Sequence, residues 1–293
     1  MNRIGIISNL RRDKNLETTQ GVIKYLLENG CIPYVDKRVY SALKNNEGAV
    51  RYEDVFSETE MLIVLGGDGT MLQAARYACV HNKPLLGINL GNLGYLTDVE
   101  KYEAHTAIKR IMESNYKIEK RMMLEVSINF EGKRIVNDEW LALNDVCVSR
   151  GAFSKMAETK VIINKTEYIA TYSGDGIIVS TPTGSTAYNF SAGGPLLKPD
   201  SEMIAVTPIC AHTPFARPSV VPSSDEITIE HRSGEGDKSI LAMDGQTIRT
   251  LTQNESVVVK KSKYYTSIIK TNEIGFYDIF RSKMTGMRKS GED

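Results

Sequence analysis

The sequence has no run of 18 apolar residues, so no segment of it could cross a bilayer as a helix. It has no surplus of either charge: Lys plus Arg number 36 and Asp plus Glu number 36. A balanced chain argues against a nucleic-acid partner held by bulk charge and leaves only a local basic patch open. Cysteine is scarce. Cys31, Cys79, Cys147 and Cys210 lie far apart and form no CxxC pair, and the first three sit in apolar surroundings. That is the pattern of buried thiols rather than of a metal cluster. No basic segment followed by an apolar core opens the chain, and no internal repeat or low-complexity tract interrupts it. The expectation is a cytoplasmic protein with no membrane and no nucleic-acid partner.

What is present is the balance of a folded globular chain, 41% hydrophobic and 25% charged over 293 residues. That length allows one large domain or two ordinary ones. The first hundred residues alternate strand and helix signals. Arg3 to Ser8 reads as a short buried strand. A helix follows with Val22, Ile23, Leu26 and Leu27 on one face and Gly30 as its stop. Ile32 to Val35, Met61 to Leu65 and Leu85 to Ile88 read as further strands, with a helix over Met71 to Ala78. This order means a parallel sheet with crossover helices.

Near residue 120 the texture changes. Met122 to Phe130, Trp140 to Val148, Lys160 to Ile163, Ile177 to Thr181, Glu226 to His231 and Ser256 to Lys260 are strand candidates. Turn signals stand among them at Glu131-Gly132, Asn164-Lys165 and Gly234-Glu235-Gly236. Few stretches of this half keep a helical period; the last segment, Tyr277 to Met287, does so roughly and is expected to fold back on the first domain. The division is therefore 1–100 with about 273–293 as an α/β domain, and 101–272 as a β-rich domain.

Three segments carry chemistry. Leu65-Gly66-Gly67-Asp68-Gly69-Thr70 follows the most apolar strand and precedes a helix. Ligands of open α/β sheets bind beyond the carboxyl ends of the strands. Glycines there let backbone approach a phosphate, and a helix N-terminus offers free N–H groups to an anion. Asp68 would repel such a ligand unless it has another task, such as accepting a hydroxyl proton or holding Mg²⁺. Gly87 to Leu96 is a second glycine-rich segment after a neighbouring strand, placed to line the same crevice. In the β-rich half, Ser173-Gly174-Asp175-Gly176 leads through Ile177-Ile178-Val179 into Ser180-Thr181-Pro182-Thr183-Gly184-Ser185-Thr186-Ala187-Tyr188, then Ser191-Ala192-Gly193-Gly194-Pro195. Small hydroxyl side chains at this density suit a polar ligand held close to backbone.

In order and spacing, Gly66 to Thr70, Leu143-Asn144-Asp145 and Asp175 through Tyr188 resemble the signature blocks of the NAD kinase family. Gly87 to Leu96, Ala216-Arg217-Pro218 with Pro222, and Asp244-Gly245-Gln246 extend the resemblance over most of the chain. It implies a Rossmann-like N-terminal α/β domain with a parallel sheet, a sandwich-like β-rich C-terminal domain, a C-terminal helix returning to the first, and a nucleotide site between the domains. It implies phosphoryl transfer from ATP, or from polyphosphate, to the adenosine ribose 2′-hydroxyl of NAD, with Mg²⁺ or another divalent cation, in a homodimer or homotetramer. Asp68 would be the general base, Gly67 and Gly69 would shape the phosphate cradle, and Thr70 would start the following helix. Asn144 would bind the adenine and Asp145 a ribose. Asp175 would contact the nicotinamide end. Thr186, Ala187, Tyr188 and Ser191 would surround the adenosine, some of them from a neighbouring subunit, and Gln246 and Lys155 would complete the site. No protein metal ligands are assigned.

An aspartate's ordinary pKa, about 4, makes it a weak base for an alcohol, so the proton must leave late, as the new bond forms. Ser173-Gly174 stands where many bacterial relatives carry an arginine close before the Asp-Gly. The missing charge leads to an expectation of some activity on NADH. Two rival readings remain: a lipid or sugar-phosphate kinase sharing the glycine-aspartate turn, and a non-catalytic dinucleotide sensor. Histidines 81, 105 and 231 are expected at the surface.

Overall fold

The computed structural model describes residues 2–43, 48–51, 54–91, 94–97, 99–151, 156–214, 216–232, 238–252 and 254–285. The chain packs as two compact units, Met1–Lys120 with Thr266–Asp293, and Arg121–Tyr265.

The first unit is an α/β layer structure. Strands β1 (Arg3–Ser8), β2 (Ile32–Val35), β3 (Val50–Arg51), β4 (Met61–Gly66), β5 (Leu85–Asn89) and β6 (Val99–Glu100) alternate with helices α1 (Glu17–Glu28), α2 (Lys37–Ala42), α3 (Val55–Glu58), α4 (Asp68–Ala78) and α5 (Ala104–Met112). The sheet is parallel, running β5-β4-β1-β2-β3 with β6 beside β5. Every residue of β4 is buried, as expected of a central strand covered on both faces. Helix α1 buries Thr19, Val22, Ile23 and Leu26. Leu27 lies about 90° round from the centre of that face at 100° per residue, and it is exposed. Gly30 ends the helix at φ +74°. Its N–H donates to the Leu27 carbonyl while Cys31 N–H donates to that of Leu26, a Schellman motif.

Two helix expectations shift. Helix α4 begins at Asp68 itself, three residues before Met71. Helix α5 lies in a stretch that the sequence reading assigned to the β-rich half. Its buried face is Ala104, Ala107, Ile108 and Ile111, and two alanines in four core positions give a faint apolar signal. These residues join the core of the first unit, which carries that unit past residue 100 to Lys120.

The second unit is antiparallel. Strands β7 (Lys117–Phe130), β8 (Lys133–Ala142), β9 (Asp145–Arg150), β10 (Ala157–Ile163), β11 (Glu167–Gly174), β12 (Gly176–Ser180), helix α6 (Tyr188–Ser191), and β13 (Met203–Ile209), β14 (Ser219–Pro222), β15 (Ile227–Arg232), β16 (Ser239–Met243) and β17 (Gln246–Leu251) are followed by β18 (Glu255–Lys270). One sheet runs β14-β13-β12-β9-β16-β17; the other joins β11, β10, β15, β18, β7 and β8. Inward residues of both sheets, among them Val146, Ile177, Val206, Val161, Ile229 and Val257, form one core, which makes the unit sandwich-like. Trp140 packs against this core. Hairpin turns at Glu131-Gly132 and Asn164-Lys165 have both residues at positive φ, the geometry of type I′ turns. Gly234-Glu235-Gly236 lies outside the described residues.

Residues 256–259 of β18 pair with β15, whereas Ile268 pairs in parallel with Leu85 of β5. The expected strand Ser256 to Lys260 is thus the first part of a longer one. After β18, helix α7 (Phe276–Thr285) belongs to the α/β unit. Among the described residues no helix is long and apolar enough to cross a membrane.

Candidate active site

In the α/β unit the glycine turn lies at the carboxyl end of β4. Gly67 is extended and caps α4, so strand gives way to helix within one residue and Asp68 becomes the first residue of the helix. The N–H groups of a first helical turn have no intrahelical acceptors and point outward with the positive end of the helix dipole. Thr70 turns inward: its hydroxyl accepts from Asn9 Nδ2 at 3.1 Å. A Cβ on Gly66 would overlap Thr70. A Cβ on Gly67 would come within 2.8 Å of Arg12 Nη1, and one on Gly91 within 3.1 Å of the same atom. The guanidinium of Arg12, from the loop after β1, therefore lies against both glycine segments.

The second glycine segment reaches the acid itself. The carboxylate of Asp68 accepts Tyr95 N–H at 2.9 Å on Oδ2 and Leu96 N–H at 3.0 Å on Oδ1. Gly94 packs so closely that a Cβ would overlap Oδ1. The acid is thus fixed by two backbone donors, each oxygen keeping capacity for one further hydrogen bond. Helix α7 brings Lys283 to the same place, with Nζ 3.9 Å over the ring centre of Tyr95. Burial pushes the Lys283 ammonium below the ordinary lysine range, and the Asp68 charge opposes that shift. Burial, then Asp68, raises the Tyr95 phenol. The hydroxyls of Tyr95 and Thr97 are buried without a hydrogen-bond partner among the described residues.

In the β-rich unit the expected single strand Trp140 to Val148 is broken: β8 ends at Ala142 and β9 starts at Asp145. The backbone N–H groups at the break donate to the carboxylate of Asp244 instead of to a ladder, from Leu143 at 3.1 Å, Asn144 at 2.7 Å and Asp145 at 3.2 Å. Asp244 and Gly245, at φ +49° and +73°, form the tight turn between β16 and β17. Asp145 is buried, and burial with the nearby Asp244 charge pushes its carboxyl up to about 7.

The hydroxyl-rich turn packs on this break. Thr181 Oγ1 donates to the Leu143 carbonyl at 2.5 Å and Thr181 N–H to that of Asn144 at 2.8 Å. A Cβ on Gly184 would overlap the Asn144 carbonyl. Thr186 closes a short 3-10 turn, and α6 starts at Tyr188 after Ala187. Asn189, fully buried, anchors that helix by accepting from Thr207 Oγ1 at 2.6 Å and donating to the Pro195 carbonyl at 3.1 Å. Its neighbours Tyr188 and Ser191 are exposed. Asp145, Asp175 and Cys147 all act electrostatically on the Tyr188 phenol, so these residues share one locality.

Asp175 sits between β11 and β12, flanked by glycines because neighbouring backbone passes so close: a Cβ on Gly174 would come within 2.8 Å of the Ile209 carbonyl, and one on Gly176 would overlap that of Val148. Its carboxylate accepts from Arg150 Nε at 2.7 Å. A cation from β9 thus pairs with the acid that follows Ser173-Gly174. Gln246 is exposed at the start of β17, and Lys155 lies outside the described residues. His81 and His105 are exposed, but His231 is buried. It stands at an alternating inward position of β15, its Nδ1 2.6 Å from Thr159 Oγ1, and burial drives its imidazole down to about 4. No group of three or more metal-ligating side chains occurs among the described residues.

Sequence reasoning did not find Arg12, Arg150, Asn189, Tyr95 or Lys283. Tyr95 lies within the second glycine segment and Asn189 between Tyr188 and Ser191, whereas Arg12, Arg150 and Lys283 are isolated residues of ordinary type that only folding brings to the turns.

A glycine turn after a buried parallel strand, an acid held at the start of the next helix, and cations against both define a nucleotide phosphotransferase of two-unit α/β plus β-sandwich build. The ATP-NAD kinase N-terminal domain matches residues 4–116, and the ATP-NAD kinase C-terminal domain matches residues 143–271. The chain belongs to the ATP-NAD kinase family and is an enzyme of it. The NAD kinase of Thermoanaerobacter sp. (strain X514) is 40% identical over 285 residues, covering 97% of this chain and 99% of the relative. That of Clostridium perfringens (strain ATCC 13124) is also 40% identical, with the same coverage. The yeast NADH kinase complexed with NADH shares the fold with a TM-score of 0.85 at 24% identity, covering 100% of this chain and 89% of that one. The NAD kinase from Archaeoglobus fulgidus in complex with ATP gives 0.71 at 22% identity, covering 97% of each.

Proposed function

We propose that the protein transfers the terminal phosphoryl group of ATP to the adenosine ribose 2′-hydroxyl of NAD, with Asp68 as the general base. The observation that carries this reading is the double backbone anchor of Asp68 at the start of α4. An acid in a purely anion-binding turn would be a liability, whereas an acid aimed by two N–H donors is suited to take a proton from a hydroxyl. As the ribose oxygen bonds to phosphorus and the bond to the ADP leaving group breaks, the hydroxyl proton passes to the free lone pair of Asp68. The reaction asks for positioning and charge stabilisation more than covalent help. Gly67 and Gly69 supply close backbone, the α4 N-terminus supplies N–H groups, and Arg12 supplies positive charge. Mg²⁺ enters with ATP as part of the substrate, held largely by the phosphates.

On the dinucleotide, Asn144 reads the adenine and Asp145 a ribose hydroxyl, Thr186, Ala187, Tyr188 and Ser191 enclose the adenosine, and Asp175 meets the nicotinamide end, with Gln246 and Lys155 completing the set. The Asp175–Arg150 pair is close to neutral, so it selects weakly between the cationic and the reduced nicotinamide, and NADH serves as a poorer second acceptor. A homodimer or homotetramer is the assembly in which part of this set comes from a neighbouring subunit. The test is NADP formation by the purified protein from NAD, ATP and Mg²⁺, alongside polyphosphate as donor and NADH as acceptor. Turnover with ATP and NAD supports the reading. Turnover of a diacylglycerol or a sugar phosphate with none of NAD refutes it, as does NADP binding with no turnover under any donor.

A further inference from the structure

We infer that Lys283, delivered by the C-terminal helix α7, is the cation that contacts the transferred phosphoryl group beside Asp68. The inference rests on the assignment of Asp68 as the base, and it adds a second cation, after Arg12, from a part of the chain that neither glycine segment contains.

Four observations converge. First, place: Lys283 Nζ lies 3.9 Å over the ring of Tyr95, and the backbone N–H of the same tyrosine holds Asp68 Oδ2 at 2.9 Å. The ammonium and the carboxylate thus share one support. Second, the charge is left over. Lys283 is partly buried, and among the described residues its ammonium has the Tyr95 face and the longer-range Asp68 charge to interact with and forms no hydrogen bond or ion pair. Removing an ammonium from water without a hydrogen-bonded counter-ion is unfavourable. Here burial does depress its proton affinity. A surface lysine of a solvated helix would extend into water.

Third, the surroundings are short of partners. Tyr95 and Thr97, which flank Leu96, keep buried hydroxyls without a hydrogen-bond partner among the described residues, and a native structure rarely leaves such groups unsatisfied without a ligand or water to meet them. An anion with several acceptor oxygens would satisfy the ammonium. Fourth, the helix is fixed well enough to aim the lysine. Ile279 is buried one turn earlier, and Lys283 lies in the last turn, where the helix dipole favours a cation. A phosphoryl group in transfer spreads negative charge over its equatorial oxygens, which is what an ammonium at this point would stabilise.

The experiment compares wild type with Lys283→Met, Lys283→Gln and Lys283→Arg, with Asp68→Asn in parallel. It measures kcat, KM for ATP, KM for NAD, and thermal midpoint. The expected result is a loss in kcat/KM for ATP of about 100-fold in Lys283→Met, KM for NAD within twofold of wild type, and at least tenfold of the loss recovered by Lys283→Arg. A merely structural lysine pinning α7 to Tyr95 would lower the thermal midpoint and leave kcat within threefold. That outcome overturns the inference, and so does a rate in Lys283→Arg no better than in Lys283→Met. Should the methionine variant not fold, Lys283→Gln answers the same question. Full rate in Asp68→Asn with loss in Lys283→Met would remove the base and keep the cation; the reverse would remove the cation alone.

Discussion

The carboxylate of Asp244 holds the backbone N–H of Asn144 at 2.7 Å, while the Asp244 N–H donates to the Asp145 carbonyl at 3.0 Å. The turn between β16 and β17 and the break between β8 and β9 are therefore locked to each other. Three N–H groups depend on one side chain, and hydrogen bonds to a charged group contribute about 1.5–3 kcal/mol each. Asp244→Ala should cost at least ~2 kcal/mol in a urea titration and raise KM for NAD more than it lowers kcat. An unchanged KM for NAD would separate this clamp from the binding of the dinucleotide.

Asp145 makes the complementary prediction in pH. Its carboxyl is raised to about 7, by burial first and Asp244 second, so the folded protein holds a proton there that the unfolded chain gives up near pH 4. The stabilisation is complete below the unfolded value and is lost as pH rises through about 7. Asp145→Asn should therefore gain stability over wild type at pH 8, on the order of 3 kcal/mol, and converge with it near pH 4. A difference that does not vary with pH would contradict the raised carboxyl.

Gly94 offers a steric test of the anchor. Any Cβ at this position overlaps Asp68 Oδ1, so Gly94→Ala must push the carboxylate off its two donors. A displacement on the order of 1 Å costs about 100-fold in rate. Steady-state kinetics should show that loss in kcat with KM for NAD nearly unchanged. Full activity would mean that the anchored pose of Asp68 is not the one that reacts.

The pair Asp175–Arg150 predicts opposite effects on the choice of acceptor. Removing the guanidinium with Arg150→Met leaves a bare carboxylate that favours the cationic nicotinamide, so the NAD-to-NADH ratio of kcat/KM should rise. Asp175→Asn should lower it. A change of a few-fold each way corresponds to about 1 kcal/mol. Parallel shifts in both variants would show that the pair acts only as a structural tie.

The sequence made the fold class and the glycine turn legible because both are local signals: a continuous apolar run at Met61–Leu65, a Gly-Asp-Gly at its end, and period-two strands later. Helix α5 escaped because alanines fill half its buried face. The break at Leu143-Asn144 escaped because its satisfaction comes from Asp244, a hundred residues away. The placement of His231 was misjudged for another reason. Its strand alternates in burial, and Ile227 and Ile229 put His231 on the inward face by period two, a signal outweighed by the polar character of the residue itself. Lys283 and Arg12 carry ordinary surface chemistry in the sequence, and only the return of α7 and the loop after β1 bring them to the turns.

The most direct test of the central claim is a single-turnover measurement of NADP formation by wild type and Asp68→Asn at saturating NAD, ATP and Mg²⁺, with NAD binding measured separately by calorimetry. The expected result is NAD affinity within a few-fold of wild type and a transfer rate reduced by at least about 100-fold, the lower range for losing a positioned base. A variant that binds NAD and transfers the phosphoryl group at the wild-type rate would contradict the assignment of Asp68 as the base.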